Sequence, residues 1–162
     1  MKIIEIDKNN ANYISELVAD FRVALKSYKG IKACPNKETA YIEIIEYLDA
    51  GFPCFAAISD EKYVGYIVCR IDMSCVWVES IYTLPEYRGK GIASALFEKA
   101  EEIGNKLGND TVFNYVHPNN NRMINFLRKH GYSVLNLIEI RKPHKNEKLS
   151  TTIKVGENEF NY

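Results

Sequence analysis

The stretch "CVWVESIYTLPEYRGKGIASALFEKA", residues 75 to 100, constrains the chain more than any other. It begins as a β-branched and aromatic run, turns at Leu84-Pro85-Glu86-Tyr87, and sets Gly89 and Gly91 directly before an apolar-periodic segment. The first run favours a half-buried pleated strand, which the proline-containing turn ends. Beyond the glycines, Ile92, Ala95, Leu96, Ala100, Ile103 and Leu107 recur at helical spacing. A strand that feeds a helix across a short turn opens a strand–helix–strand crossover, with the helix laid on one face of a sheet. The glycines need a further reason, because Gly inside a helix costs about 1 kcal/mol relative to Ala. A helix start leaves backbone N–H groups without partners and carries partial positive charge, and glycine lets an anion approach that backbone closely. Strand, turn, then Arg88-Gly89-Lys90-Gly91 at a helix mouth therefore describes a phosphate cradle.

The rest of the chain alternates in the same way. "KIIEI" (2 to 6) reads as a strand, followed by a helix that spaces Tyr13, Leu17, Phe21 and Leu25, with Asn9 or Asn10 as N-cap. Asn36 caps a second helix, in which Tyr41, Ile44, Ile45 and Leu48 share a face up to Gly51. Strands follow at 54 to 59, 63 to 71 and 75 to 83, the first two joined by a short turn at Asp60-Glu61-Lys62 and hence antiparallel. After the third helix come a strand at 111 to 116, a fourth helix in "NRMINFLRKH", and strands at 132 to 140 and 150 to 155. The predicted fold is a single α/β (α+β) domain over residues 1–162. Its mixed, mostly antiparallel sheet has about seven strands and is flanked by four helices.

Lys plus Arg and Asp plus Glu both total 21, so zero net charge gives no case for nucleic acid or an anionic membrane as partner. No run approaches a membrane span, and "MKIIEIDKNN" lacks the apolar core of a secretory leader, so a cytoplasmic location is expected. Cys34, Cys54, Cys69 and Cys75 form no C-x-x-C pair, and His117, His130 and His144 are scattered, so no metal is expected. The cysteines read as reduced and structural.

Which phosphate the cradle would take is narrowed by spacing. The G-x-x-x-x-G-K-[ST] pattern of nucleoside triphosphate loops is absent, and only G-x-G-x-A stands where a dinucleotide fold needs G-x-G-x-x-G tight against its strand. Alone, G-x-G-x-A is a weak signal, and a glycine turn capping an amphipathic helix is the alternative.

"VWVESIYTLPEYRGKGIASALFEKAEEIGNKLG" resembles the central segment of the GNAT superfamily of acyl-CoA-dependent N-acyltransferases. Arg88-Gly89-Lys90-Gly91-Ile92-Ala93 satisfies that family's R/Q-x-x-G-x-G/A signature. About thirty residues on, "NRMINFLRKHGY", Asn121 to Tyr132, is similar to its second motif, with Met123 in place of Ala and Leu127 in place of Tyr. The resemblance is strong over 75 to 132, weak over the first 50 residues and silent over the last twenty. It implies a sheet whose central strands splay, here 75 to 83 and 111 to 116, to admit acetyl-CoA. The pyrophosphate would lie on the N–H groups of Gly89, Gly91, Ile92, Ala93 and Ser94, and the pantetheine arm on the backbone of Ile81, Tyr82 and Thr83. Arg88 and Lys90 would add charge near the phosphates, with a solvated side chain the alternative for Lys90. Asn121 would hold the coenzyme arm or serve the turn as a cap.

Glu79, the only acidic residue of its strand, stands at the offset where several amine-acetylating relatives of that family carry their base, and a solvated strand face is the alternative. Strict alternation would set it with Trp77 and Ile81. Leu127 has no proton to give, so the family's tyrosine acid does not carry over. The acceptor would lie near residues 27 to 38, 115 to 120 and 141 to 148, with Tyr28, Tyr115 and His117 as lining, while Glu38, Glu43 and Glu46 read as solvated. The implied function is an N-acetyltransferase acting on a primary amine of a small molecule or peptide. A catalytically weak acyl-CoA-binding module is the alternative, and a homodimer is left open.

Overall fold

Three successive apolar strands, two of them buried on both faces, build the centre of a five-stranded sheet. In the computed structural model, which describes all 162 residues, the chain divides into two compact units, Met1–Asn125 and Phe126–Tyr162. The first begins with β1 (Lys2–Glu5) and a 3-10 turn (Ala11–Ile14), then α1 (Ser15–Tyr28) and α2 (Lys37–Asp49). It continues through β2 (Cys54–Ser59), β3 (Lys62–Asp72), β4 (Cys75–Thr83), a 3-10 turn (Pro85–Tyr87), α3 (Ile92–Lys106) and β5 (Phe113–Asn114). α4 (Asn121–Lys129) runs across the division. Strand order is β1-β2-β3-β4-β5, antiparallel except for the parallel β4–β5 pair, so the sheet is mixed and mostly antiparallel as expected.

Local chemistry explains the ends of the elements. Asn36 caps α2 by accepting the Thr39 N–H at 2.9 Å. Asp60 and Glu61, both at positive φ, make a tight two-residue hairpin between β2 and β3, a backbone twist that matches the strands it joins. The expected first helix is split: residues 11 to 14 form the 3-10 turn, and Asn10 spends its side chain on the Asp7 N–H instead of capping.

The two faces of β3 sort the layers. Tyr66 and Val68 join Leu17, Val18, Ala40 and Ile44 in a core beneath α1 and α2. Gly65 faces the other way, where a Cβ would stand 2.9 Å from the Tyr82 carbonyl oxygen and 3.2 Å from Ile92 Cγ2 and Leu96 Cδ1. Only a glycine lets α3 come down this close, and α3 carries the glycine turn at its head. Gly65→Val is therefore expected to overpack this contact by about 1–3 kcal/mol, lowering Tm by roughly 2–12 °C in a thermal melt.

Cys54 and Cys69 are buried, and burial pushes both thiols up to about 12. A thiol reagent at pH 8 is expected to label exposed Cys34 quickly and half-buried Cys75 more slowly, with Cys54 and Cys69 reacting only after denaturation.

The second unit departs from the sequence reading. The strand expected at 132 to 140 does not form: these residues are irregular, and Val134, Leu135, Leu137, Ile138 and Ile140 are exposed. No strand of either sheet pairs with these residues, and a strand without a ladder partner leaves its backbone N–H and C=O groups unmatched. The expected strand at 150 to 155 is β6 (Thr152–Val155), paired antiparallel with an unforeseen β7 (Asn158–Asn161) across a turn at Gly156. The seven strands thus form a five-stranded sheet and a two-stranded one.

Candidate functional site

Gly91 is the N-cap of α3, at φ 79°, with Gly89 at φ 76° just before it. Both are left-handed conformations that an L side chain adopts at a cost, so the glycines serve the turn itself as well as access to its backbone. No side chain caps α3, and a Cβ on either glycine would meet nothing within 4 Å. The turn thus offers N–H groups of the first helical turn, with the positive end of a 15-residue helix dipole, to open space. Ile92 is buried beneath the turn, while Ala93 and Ser94 are half-buried.

Arg88 does more than carry charge. Its Nε donates to the Thr83 carbonyl at 3.0 Å, and its guanidinium lies 5.5 Å from the centre of the Tyr82 ring. It straps the turn to the end of β4. Lys90 Nζ lies 4.8 Å from the centre of the Tyr87 ring, and Arg122, unremarked in the sequence, lies near enough for its charge to be felt at Tyr82. Burial and Asp20 raise the Tyr82 phenol above its ordinary range, against the pull of Arg88 and Arg122. Asn120 caps α4, its Oδ1 accepting the Met123 N–H at 3.1 Å, which leaves Asn121 exposed at the first helical position.

From the turn, β4 leads back to Glu79. β4 pairs with β5 only through Trp77–Phe113 and Val78–Asn114, so residues 79 to 83 have no β5 partner. The strand expected at 111 to 116 is reduced to these two residues, and the strands part beyond them.

A β-bulge decides where Glu79 points. Ser80 pairs with Val68 and Val78 with Cys69, so Glu79 is the extra residue. Arg70, Val68 and Tyr66 alternate onto the α1–α2 face, and their partners Trp77, Ser80 and Tyr82 share it. Strict alternation is thereby broken: Ile81, opposite Ile67, goes to the other face, while Glu79 joins Trp77 beside Arg70. Arg70 Nε donates to Glu79 Oε2 at 3.4 Å and Nη1 to Asp72 Oδ2 at 3.2 Å. The same guanidinium lies 5.4 Å from the Trp77 ring centre.

Behind Glu79 is a polar network that the sequence reading missed. Arg22 Nε donates to Glu43 Oε2 at 2.8 Å, and Arg22 Nη2 donates to the Tyr47 hydroxyl at 2.9 Å. Glu43 is not a solvated helical carboxylate: its side chain is only 19% exposed, whereas Glu38 and Glu46 are exposed as expected. Burial, then the charge of Glu43, pushes the Tyr47 phenol up to about 12, and Tyr47 also feels Glu79. The hydroxyls of Tyr66 and Ser80 are buried without a well-formed hydrogen bond, although they are near enough for Ser80 to ease ionisation of Tyr66. A helical Arg and Glu 21 positions apart give no local signal, so only the packing of α1 on α2 reveals the pair.

The aromatic residues fall into two groups. Tyr28 stacks on His117 with centroids 6.2 Å apart, and Asn119 Nδ2 donates to the Tyr28 carbonyl at 3.0 Å. Burial and the nearby Lys29 hold the His117 imidazole below its ordinary value. Tyr115 instead stacks on Trp77 at 4.7 Å, with Phe113 4.9 Å from the same ring. Leu127 is a buried apolar side chain with no proton to donate.

No group of three or more His, Cys, Asp or Glu is arranged to hold a metal ion, and no helix is long and apolar enough to cross a membrane. The chain is similar in fold to the aminoglycoside acetyltransferase AAC(6')-Iy, solved with the bisubstrate analogue CoA-S-monomethyl-acetylneamine. That match has TM-score 0.69 and 19% identity, covering 88% of this chain and 98% of that one. It is also similar to ribosomal-protein-alanine N-acetyltransferase from Brucella melitensis biovar Abortus 2308 (TM-score 0.68, 15% identity, 89% and 100% covered). In sequence it is 31% identical over 100 residues to the probable N-acetyltransferase san of Drosophila melanogaster, 59% of this chain and 54% of that protein. The chain therefore spans about half the length of that curated relative. The model of the acetyltransferase (GNAT) family matches residues 18–132, from α1 through the glycine turn to the end of the second motif, and the chain belongs to that family.

Proposed function

We propose that this chain transfers an acetyl group from acetyl-CoA to a primary amine, with Glu79 as the base. One observation carries the proposal: an uncapped, glycine-opened helix N-terminus and a bulged carboxylate stand at the two ends of one unpaired strand edge, residues 79 to 83. That edge suits an amide-bearing arm, and the helix mouth suits a pyrophosphate. In this assignment the N–H groups of Gly89, Gly91, Ile92, Ala93 and Ser94 hold the phosphates, and Lys90 and Arg122 add positive charge. Ile81, Tyr82 and Thr83 supply the backbone edge, Arg88 keeps the turn and edge in register, and Asn121 reaches toward the coenzyme arm. Acetyl-CoA supplies the activated acetyl group.

The acceptor needs a base because an alkylammonium has a pKa of about 10.4, leaving roughly one molecule in 2,500 as free amine at pH 7. Glu79 accepts that proton directly or through a water, and Arg70 steadies its carboxylate by donating to Oε2. The amine nitrogen then bonds to the acetyl carbon as the carbon–sulfur bond breaks. The departing thiol has a pKa of about 8.5, so leaving unprotonated at pH 7 costs about 2 kcal/mol. A dedicated side-chain acid is thus dispensable, which accommodates Leu127.

The fold neighbours act on aminoglycosides and on a ribosomal protein, as their names state, so the acceptor class divides between small amines and peptides. Release of free thiol from acetyl-CoA across a panel of amines tests the proposal. Amine-dependent release above background supports transfer; acetyl-CoA binding without release by any amine would leave a binding module only.

A further inference from the structure

We infer that the acceptor is a monoamine whose amino group is borne next to an aromatic or large apolar group, rather than a polycation. The inference rests on the acetyl-transfer assignment above and names the substrate class of that same site. Two observations meet at Glu79.

The first is a wall of rings. Trp77 lies on the Glu79 face of β4 and stacks on Tyr115 at 4.7 Å with planes 15° apart, while Phe113 lies 4.9 Å away at 30°. Arg70 lies over the same indole and touches Glu79, so rings, guanidinium and carboxylate are contiguous. Tyr115 is 63% exposed, so the wall is open at its outer end. An aromatic or large apolar group laid against such a surface gains area burial and, for an aromatic one, ring–ring attraction.

The second is charge. Arg70 stands between Asp72 and Glu79, so the three carry one net negative charge. Arg22 cancels Glu43 in the network behind them. One net negative charge suits one ammonium. A polycation with three or more would leave charges uncompensated beside two guanidinium groups and would gain nothing from the rings.

This chemistry has two sources, a small aralkylamine and a peptide whose first residue is aromatic, and the assay includes both. Thiol release from acetyl-CoA is measured with phenethylamine, a phenylalanine-initiated tripeptide amide, n-butylamine, spermidine and kanamycin. The expected kcat/KM for phenethylamine or the peptide exceeds that for n-butylamine at least tenfold, with spermidine and kanamycin no better than n-butylamine. Preference between phenethylamine and the peptide identifies the source. Trp77→Ala should bring the ratio of phenethylamine to n-butylamine close to one, mainly through KM. Tyr115→Leu, at an exposed position that does not endanger folding, should lower the same ratio at least threefold. Spermidine or kanamycin turned over tenfold better than phenethylamine would overturn the inference while sustaining acetyl transfer. Turnover of no amine would overturn both together.

Discussion

A Gly91→Glu variant is expected to bind acetyl-CoA at least a hundredfold more weakly than wild type in calorimetry, a loss of about 3 kcal/mol, with its circular dichroism unchanged. Gly91 is the left-handed N-cap of α3, with open space where its Cβ would be. A glutamate there can be accommodated sterically by the protein alone, but it sets a carboxylate at the helix mouth that the account gives to the pyrophosphate. Backbone strain is a separate effect of about 1–2 kcal/mol for a non-glycine residue in this region. Gly91→Ala isolates it, because alanine bears the same strain without the charge or the bulk. Gly91→Ala should therefore stay within about tenfold of wild type in acetyl-CoA affinity. Equal losses in the two variants would mean that only the shape of the turn matters; undiminished binding by folded Gly91→Glu would move the coenzyme elsewhere.

The second large effect is at Glu79. Glu79→Gln should lower kcat by about 10²–10⁴, the usual contribution of a positioned base, while leaving acetyl-CoA affinity intact. Glutamine keeps an oxygen to accept from Arg70 Nε, so the bulge and its partner are preserved and only proton acceptance is lost. The variant's rate should climb with pH as the amine approaches its own pKa of about 10.4, because a free amine no longer needs the base. A loss below about threefold, flat with pH, would make Glu79 a bystander and leave deprotonation to water or backbone groups.

How far the sequence disclosed this arrangement differs from residue to residue. β2, β3 and β4 were legible because β-branched and aromatic runs ended at turn residues, and α3 because two glycines preceded a clear helical period. Residue type permits the positive φ of Gly89 and Gly91 but does not dictate it, since Gly65 and Gly104 lack it. The orientation of Glu79 was not legible: a bulge is a register defect, set by pairing with β3, and alternation along β4 alone points Ile81 to the wrong face. The Arg22–Glu43 pair was hidden for a similar reason, since it depends on two helices meeting. Residues 132 to 140 misled in the opposite direction. Their composition is strand-like, but a strand also needs a ladder partner, which composition does not disclose, and neither sheet supplies one. At α4, among three consecutive asparagines, Asn120 takes the cap that stood as the alternative role for Asn121.

In the proposed arrangement acetyl-CoA lies along the β4 edge and across the mouth of α3. Backbone amide chemical shifts of the wild-type protein, followed while acetyl-CoA is titrated, test it most directly. The largest saturable changes should fall on residues 81–83 and 89–94, with the amides of β1, β2 and the β6–β7 hairpin unmoved. Saturable changes confined to other residues, with 81–83 and 89–94 still, would contradict it.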